Sequence, residues 1–189
     1  QIGQYMTRKQ AEEALQFVAM HDALTGLPNR VMFGQRFEHA LGQARRHSRR
    51  LAIFFIDLDR FKIVNDTRGH DAGDTLLRLV ARRITECLRT SDTVGRLSGD
   101  EFAVLIEEFS DPASIGALAR KLVDALGKAY VVDGHECVIT ASIGISAFPN
   151  DGNDVSTLLK TADSAMYRAK ELGKNTFQFH SAQPDPRSA

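Results

Sequence analysis

The chain has 189 residues, 43% of them hydrophobic and 25% charged, and its 24 basic and 24 acidic side chains sum to zero. That length carries one core-forming domain with an appendage, and the even charge gives no support to a nucleic-acid-coating or membrane-surface role. No run approaches the roughly 18 apolar residues of a spanning helix, and no signal-peptide pattern stands out. The start at Gln1 rather than Met marks a piece of a longer protein, any membrane-spanning part of which would lie outside it. Cys87 and Cys137 stand singly in apolar segments and read as buried free thiols, which fits a reducing cytoplasm.

Residues 1–20 read as a helix, with Ala11, Leu15 and Val18 spaced i, i+4, i+7. Gly26 and Pro28 mark a turn over 22–30, and Asn29 suits the cap of a helix running to about Arg50. The run 51–57 is apolar at nearly every position, as a central strand covered on both faces would be. A loop and helix start follow at 65–74. An amphipathic helix then extends to about Arg89 on Leu76, Leu77, Leu79, Val80, Ile84 and Leu88. A hairpin is expected over 93–107, and Pro112 opens a helix that reaches Gly127. Tyr130–Val132 and 136–147 flank Asp133-Gly134, a hairpin signal. A last helix runs from Asp154 to Leu172 and stops at Gly173, a strand covers 176–179, and the Pro- and Ser-rich tail from Ser181 reads as disordered. Strands joined by hairpins and helical crossovers predict an α+β or mixed sheet with helices packed on it. With no GxGxxG after a strand and no Walker A run, Rossmann and P-loop folds are disfavoured.

The chemistry concentrates at two strand ends. Leu51 to Ile56 is followed by Asp57-Leu58-Asp59, and the turn Ser98-Gly99 is followed by Asp100-Glu101 and the apolar run 102–106. Asp57 and Asp100 together, with Glu101 beside them and the Leu58 carbonyl near in sequence, suit Mg²⁺, which takes one or two carboxylates plus substrate phosphates and water. Arg60-Phe61-Lys62 reads equally as a backbone cradle for phosphate oxygens, with Lys62 as a cation, or as a solvated basic turn. Asn65 and Asp74 bracket a Gly-containing loop; they match the donor and acceptor edge of guanine, or Asp71 or Asp74 merely caps the helix. Lys170 and Lys174, four apart, would share a helix face and meet a triphosphate, or else only complement a helix C-terminus. Arg89 and Asp92 read as a surface ion pair, or as a guanidinium offered to phosphate or guanine. The six histidines show no zinc-ligand spacing, and no Ser-His-Asp or Cys-His context is present.

Seven segments in order carry a resemblance: DALTGLPNR at 22–30, FIDLDRFKIVND at 55–66, GHDAGD at 69–74, RTSD at 89–92, RLSGDEF at 96–102, ASIGIS at 141–146 and YRAKELGKN at 167–175. Over about 21–180 the chain resembles the GGDEF-domain diguanylate cyclases. The resemblance implies an α+β fold with a mostly antiparallel sheet surrounded by helices, similar to the palm of adenylyl cyclases and polymerases. It implies a reaction that joins two GTP into cyclic di-GMP and releases pyrophosphate. Asp57, Asp100 and the Leu58 carbonyl would hold Mg²⁺ or Mn²⁺, and Asp100 or Glu101 would assist deprotonation of the 3′-OH. Asn65 and Asp74 would read guanine. Backbone at Arg60 and Phe61, with Lys62, Lys170 and Lys174, would bind phosphates. Arg89 and Asp92 match an RxxD site where product binds and inhibits. One domain offers half of the reacting arrangement, so a homodimer is implied, with residues 1–20 as the helix leading from an upstream sensory domain, 21–180 as the cyclase domain and 181–189 as the tail. A cytoplasmic location follows, within a protein that is soluble or anchored to the membrane elsewhere. Two departures stand out. Ser98 occupies a signature glycine position, where it is costly if the backbone needs positive φ and tolerated if only small size is needed. Lys174 stands where many members have Arg. The alternative is a catalytically impaired domain that binds GTP or cyclic di-GMP.

Overall fold

The computed structural model describes residues 2–181, with side chains from residue 8 onward. In chain order the elements are α1 (Ile2–Met20), α2 (Arg30–His47), β1 (Leu51–Asp59), α3 (Phe61–Arg68), α4 (His70–Cys87), β2 (Thr93–Ser98), β3 (Glu101–Ile106), α5 (Pro112–Leu126), β4 (Tyr130–Val132), β5 (His135–Cys137), β6 (Thr140–Phe148), α6 (Val155–Glu171) and β7 (Thr176–Phe179). The main sheet has the order β2-β3-β1-β6-β7, antiparallel throughout except for the β6–β7 pair, and β4 with β5 forms a separate two-stranded sheet. The expected sheet, mostly antiparallel and flanked by helices, is what the chain forms.

β1 sets the layers. All of its residues are buried, as a continuous apolar run in a central strand requires. Ala52, Phe54, Ile56 and Leu58 join a core with Leu76, Val80 and Ile84 of α4 and Leu122 of α5. Leu51, Ile53 and Phe55 join a second core with Phe33 and Phe37 of α2 and Leu158 and Ala162 of α6. The two-residue period of a strand therefore puts α4 and α5 on one face and α2 and α6 on the other. It also aims Asp57 and Asp59 toward the α6 face. There α6 lies directly on β6: a Cβ at Gly144 would sit 1.9 Å from the Ala162 carbonyl oxygen and 2.1 Å from the Met166 nitrogen.

The Asn29 cap forms as expected, its side chain accepting from the Met32 N–H, and Pro112 lies just inside α5; Asp111, accepting from the Ala113 N–H, and Asp154, accepting from the Thr157 N–H, prove to be caps as well. Asp133 and Gly134 both take positive φ, 51° and 76°, as a two-residue hairpin turn demands. Other expectations need correction. β1 continues to Asp59, two residues past the apolar run, because its pairing with β6 persists to Asp59↔Thr140. Phe61–Arg68 is a helix rather than a turn and loop: Arg60 precedes it in a left-handed conformation at φ 60°, and Phe61 anchors α3 in the core. The single strand expected over 136–147 is two, interrupted at 138–139, because β5 pairs only with β4 while β6 belongs to the main sheet. α2 ends at His47, where Ser48 adopts a left-handed cap, and α4 ends at Cys87. Cys137 is buried but Cys87 is only partly so, and burial still pushes its thiol pKa up. Ser181, assigned to the tail, donates to Asp151; the rest of the tail, from residue 182, lies outside the described residues.

Candidate active site

Sheet register brings the acids together. Asp57 of β1 is directly opposite Glu101 of β3, and Glu101 is directly opposite Ser98 of β2. Opposed residues point to the same face, so Ser98, Glu101 and Asp57 form a row across three strands on the α6 side. Asp100 sits beside them in the turn. Its backbone oxygen accepts from the Leu58 N–H at 3.3 Å. Because N–H and C=O of a strand residue point the same way, the Leu58 carbonyl also faces this hairpin. Gly99 supplies the positive φ of the turn at 39°, and Arg96 Nε donates to its carbonyl at 2.8 Å. Ser98 is not among the residues with positive φ. Its hydroxyl donates to Glu101 Oε2 at 2.5 Å.

From α6, Lys170 reaches down and its Nζ stands 2.7 Å from Asp57 Oδ1. Burial pushes the Asp57 carboxyl pKa up to about 6; the Lys170 hydrogen bond pulls it back, and the charges of Asp100 and Glu101 push it further up. The Asp100 carboxyl is raised as well, by burial first and then by Glu101, against Lys170. Crowded acids of this kind are what a divalent cation neutralises. Among the described residues no group of three or more His, Cys, Asp or Glu side chains forms a self-contained metal cage. Two carboxylates and one carbonyl instead fit an ion shared with substrate phosphates, the habit of Mg²⁺.

The remaining site residues fall into two places. α3 starts at Phe61, two residues after Asp59, with no side-chain cap; the Ile63 N–H donates to the Arg60 carbonyl at 2.9 Å, and those of Phe61 and Lys62 precede the helical ladder. Asn65 lies on α3 and Asp74 on α4, two packed helices rather than a loop. Asn65 lies over Gly73, where a Cβ would come within 1.9 Å of its Oδ1. The cap of α4 is Gly69, without a side-chain bond, so neither Asp71 nor Asp74 caps it. Lys174 is not on a helix face with Lys170: α6 ends at Glu171, and Lys174 has φ 65° in the turn beyond. Arg89 and Asp92 stand apart, at the start of β2, roughly 17 Å of strand from Ser98. Asp92 Oδ2 accepts from the Arg89 backbone N–H at 3.0 Å, which closes the turn. Both residues line a groove of about 1130 Å³ with Arg49, Arg50 and Lys121.

Three further residues belong to this neighbourhood. Asp59 is buried on the same face as Asp57, and the i, i+2 spacing in a strand was its signal. Asp163 precedes Lys170 by seven on α6, hence shares its face; its carboxyl pKa is raised by burial and then by Glu101. Asp22, in the turn before α2, pairs with Arg96 of the hairpin strand at 3.0 Å, a contact across 74 residues that no local pattern announces.

A family model described as diguanylate cyclase, GGDEF domain, matches residues 19–176. The bifunctional diguanylate cyclase/cyclic di-GMP phosphodiesterase MucR of Pseudomonas aeruginosa is 49% identical over 162 residues, which cover 86% of this chain and 24% of that protein. The cyclic di-GMP phosphodiesterase NbdA of the same species is 42% identical over 173 residues, 92% of this chain and 22% of NbdA. Its diguanylate cyclase TpbB is 40% identical over 178 residues, 93% of this chain and 41% of TpbB. The solved GGDEF domain of TpbB matches with a TM-score of 0.83 at 41% identity, over 85% of this chain and 94% of that one. The chain thus spans between 22% and 41% of the length of these relatives. The family match takes in every element from the end of α1 to the start of β7, and the chain belongs to the GGDEF-domain family, that of the diguanylate cyclases.

Proposed function

We propose that the chain is the cyclase domain of a signalling protein and condenses two GTP into cyclic di-GMP with release of two pyrophosphates. The observation that carries this is the Asp57↔Glu101 register pair, with Asp100 in the adjoining turn and Lys170 at 2.7 Å from Asp57. For each bond formed, a 3′-oxygen attacks the α-phosphorus of the other nucleotide in line. The bond to the β-phosphate bridge breaks, pyrophosphate leaves with the electron pair, and the hydroxyl proton passes to Asp100 or Glu101. Asp57, Asp100 and the Leu58 carbonyl would hold Mg²⁺ or Mn²⁺, which when bound supplies charge neutralisation at the phosphates. The open start of α3 with Lys62, Lys170 and Lys174 receives the phosphate oxygens. Asp74 accepts from guanine N1–H and N2–H₂, and Asn65 completes the edge; adenine lacks that donor pair, so ATP is rejected.

One such row of acids holds one nucleotide, so two domains meet face to face. α1 carries the signal from an upstream sensory domain, and the reaction takes place in the cytoplasm, where GTP is supplied. Product returns to the groove at Arg89 and Asp92 and inhibits. The test is purified protein with GTP and Mg²⁺, its oligomeric state measured in the same sample. Cyclic di-GMP forms, ATP gives no product, and the rate per molecule rises with protein concentration. No product from a verified dimer overturns the assignment.

A second reading is favoured by the similarity to NbdA, whose name carries phosphodiesterase activity alone. Here the domain would only bind GTP or cyclic di-GMP. Arg89→Ala separates the two: a cyclase accumulates more product before turnover stops, whereas a binder loses product affinity and never turns over.

A further inference from the structure

Asp59 is buried, 6% exposed, and its carboxylate is fully engaged. Oδ2 accepts from Thr140 Oγ1 at 2.6 Å and from the Asn175 backbone N–H at 3.0 Å; Oδ1 accepts from Ser142 Oγ at 2.7 Å. β1 and β6 have no need of this staple, since their backbones are already paired from Leu51↔Phe148 to Asp59↔Thr140. The segment that lacks such a ladder is the turn after α6. Gly173, Lys174 and Asn175 are successive left-handed residues, with φ of 112°, 65° and 50°. Two of them are not glycine, and such conformations persist only where the surroundings over-determine them. Above, the turn is tied by the Lys174 N–H donating to the Ala169 carbonyl at 3.1 Å. Below, it is tied by Asp59.

From this geometry we infer that Asp59 is a positioning residue that fixes Lys174 relative to Asp57. The inference rests on the cyclase assignment above, in which Lys174 meets substrate phosphate. Asp57 and Asp59 share a strand and a face, so the acid site and the lysine-bearing turn are indexed to one rigid element. A carboxylate suits the post because it accepts from all three donors, including the backbone N–H that holds the turn. Asn at this position still offers one oxygen to Asn175, while its amide faces hydroxyls able to reverse their roles.

The experiment is a double-mutant cycle with Asp59→Ala and Lys174→Ala, read in GTP KM and kcat, together with hydrogen exchange at the Asn175 amide without nucleotide. Asp59→Ala raises KM about tenfold with a much smaller change in kcat, the scale of one lost hydrogen bond to a charged group. Adding Lys174→Ala raises KM no further. Exchange at Asn175 quickens, and Asp59→Asn restores most of both readouts. If Asp59→Ala does not fold, Asp59→Ser takes its place, its hydroxyl too short to span the gap. Additive effects, or unchanged exchange at Asn175, overturn the inference. If wild type turns over no GTP and Lys174→Ala leaves GTP affinity unchanged, the cyclase assignment fails instead, and exchange at Asn175 still decides whether Asp59 holds the turn.

Discussion

Ser98 is the residue at which the hairpin departs from the family signature, and the backbone settles how it is accommodated. Positive φ is carried by Gly99, so the Ser98 side chain meets no conformational penalty and turns instead toward Glu101. Ser98→Gly removes one exposed hydrogen bond worth about 1 kcal/mol, so turnover measured by product formation changes about fivefold or less. Gly73 packs against Asn65, the proposed guanine reader. Gly73→Ala pushes a methyl into Asn65, and a nucleotide competition assay shows GTP losing its advantage over ATP while GTP KM rises about tenfold. Asp57 links the site to pH. Its folded pKa of about 6 lies above the ordinary aspartate value of 3.8, so between those values the native state holds a proton that the unfolded chain does not. Stability is therefore gained as pH falls from 7 toward 4, by about 1–3 kcal/mol, and lost as pH rises through 6. Denaturant melts in a chelator across this range show the gain, and Asp57→Asn removes the larger part of it. Asp100 and Asp163, also raised by burial, add to the gain in the same direction, whereas the oppositely shifted Asp22 and Asp154 act only below the usual carboxylate range.

At the scale of elements, long periodic runs were legible and short ones were not. β1, α4, α5 and α6 follow from apolar runs, amphipathic stripes and caps whose signals are local. α3 escaped because eight residues hold barely two turns, and its anchor, Phe61, is understood only once a core exists for it to enter. The lysines show the same limit. A four-residue spacing implies one helix face only while the helix lasts, and Gly173 ends it between them. The contact of α6 with β6 is the joint that holds Lys170 over Asp57. Gly144→Ala drives a Cβ into α6 backbone that has no flexible end to yield. The domain loses about 3 kcal/mol by chemical denaturation, and GTP turnover falls because Lys170 lifts from the acids.

At the scale of the whole molecule, α1 leaves Leu15 at 71% and Val18 at 68% exposed on one face, uncovered among the described residues, while Phe17, on another face, stacks on His21. Under the proposed cyclase reading, a second copy of the helix covers this face. Leu15→Lys with Val18→Lys therefore yields monomer by sedimentation and lowers cyclase activity, with the melting temperature of the domain unchanged. The two ends of β2 give the molecule its layout: the acids are at one end, and Arg89 and Asp92 are at the other, in their groove.

Composition, periodicity and seven ordered motifs determined the fold class, the two acid strand ends, the caps and the family, because each is written in residues close together in the chain. Tertiary structure alone decided that Asn65 of α3 packs over Gly73 of α4, that Lys174 leaves the helix, that Asp22 holds Arg96, and that Asp59 ties β6 and the turn after α6 to the strand of Asp57. These contacts join residues distant in sequence, and side-chain packing and sheet register, rather than local propensity, choose them.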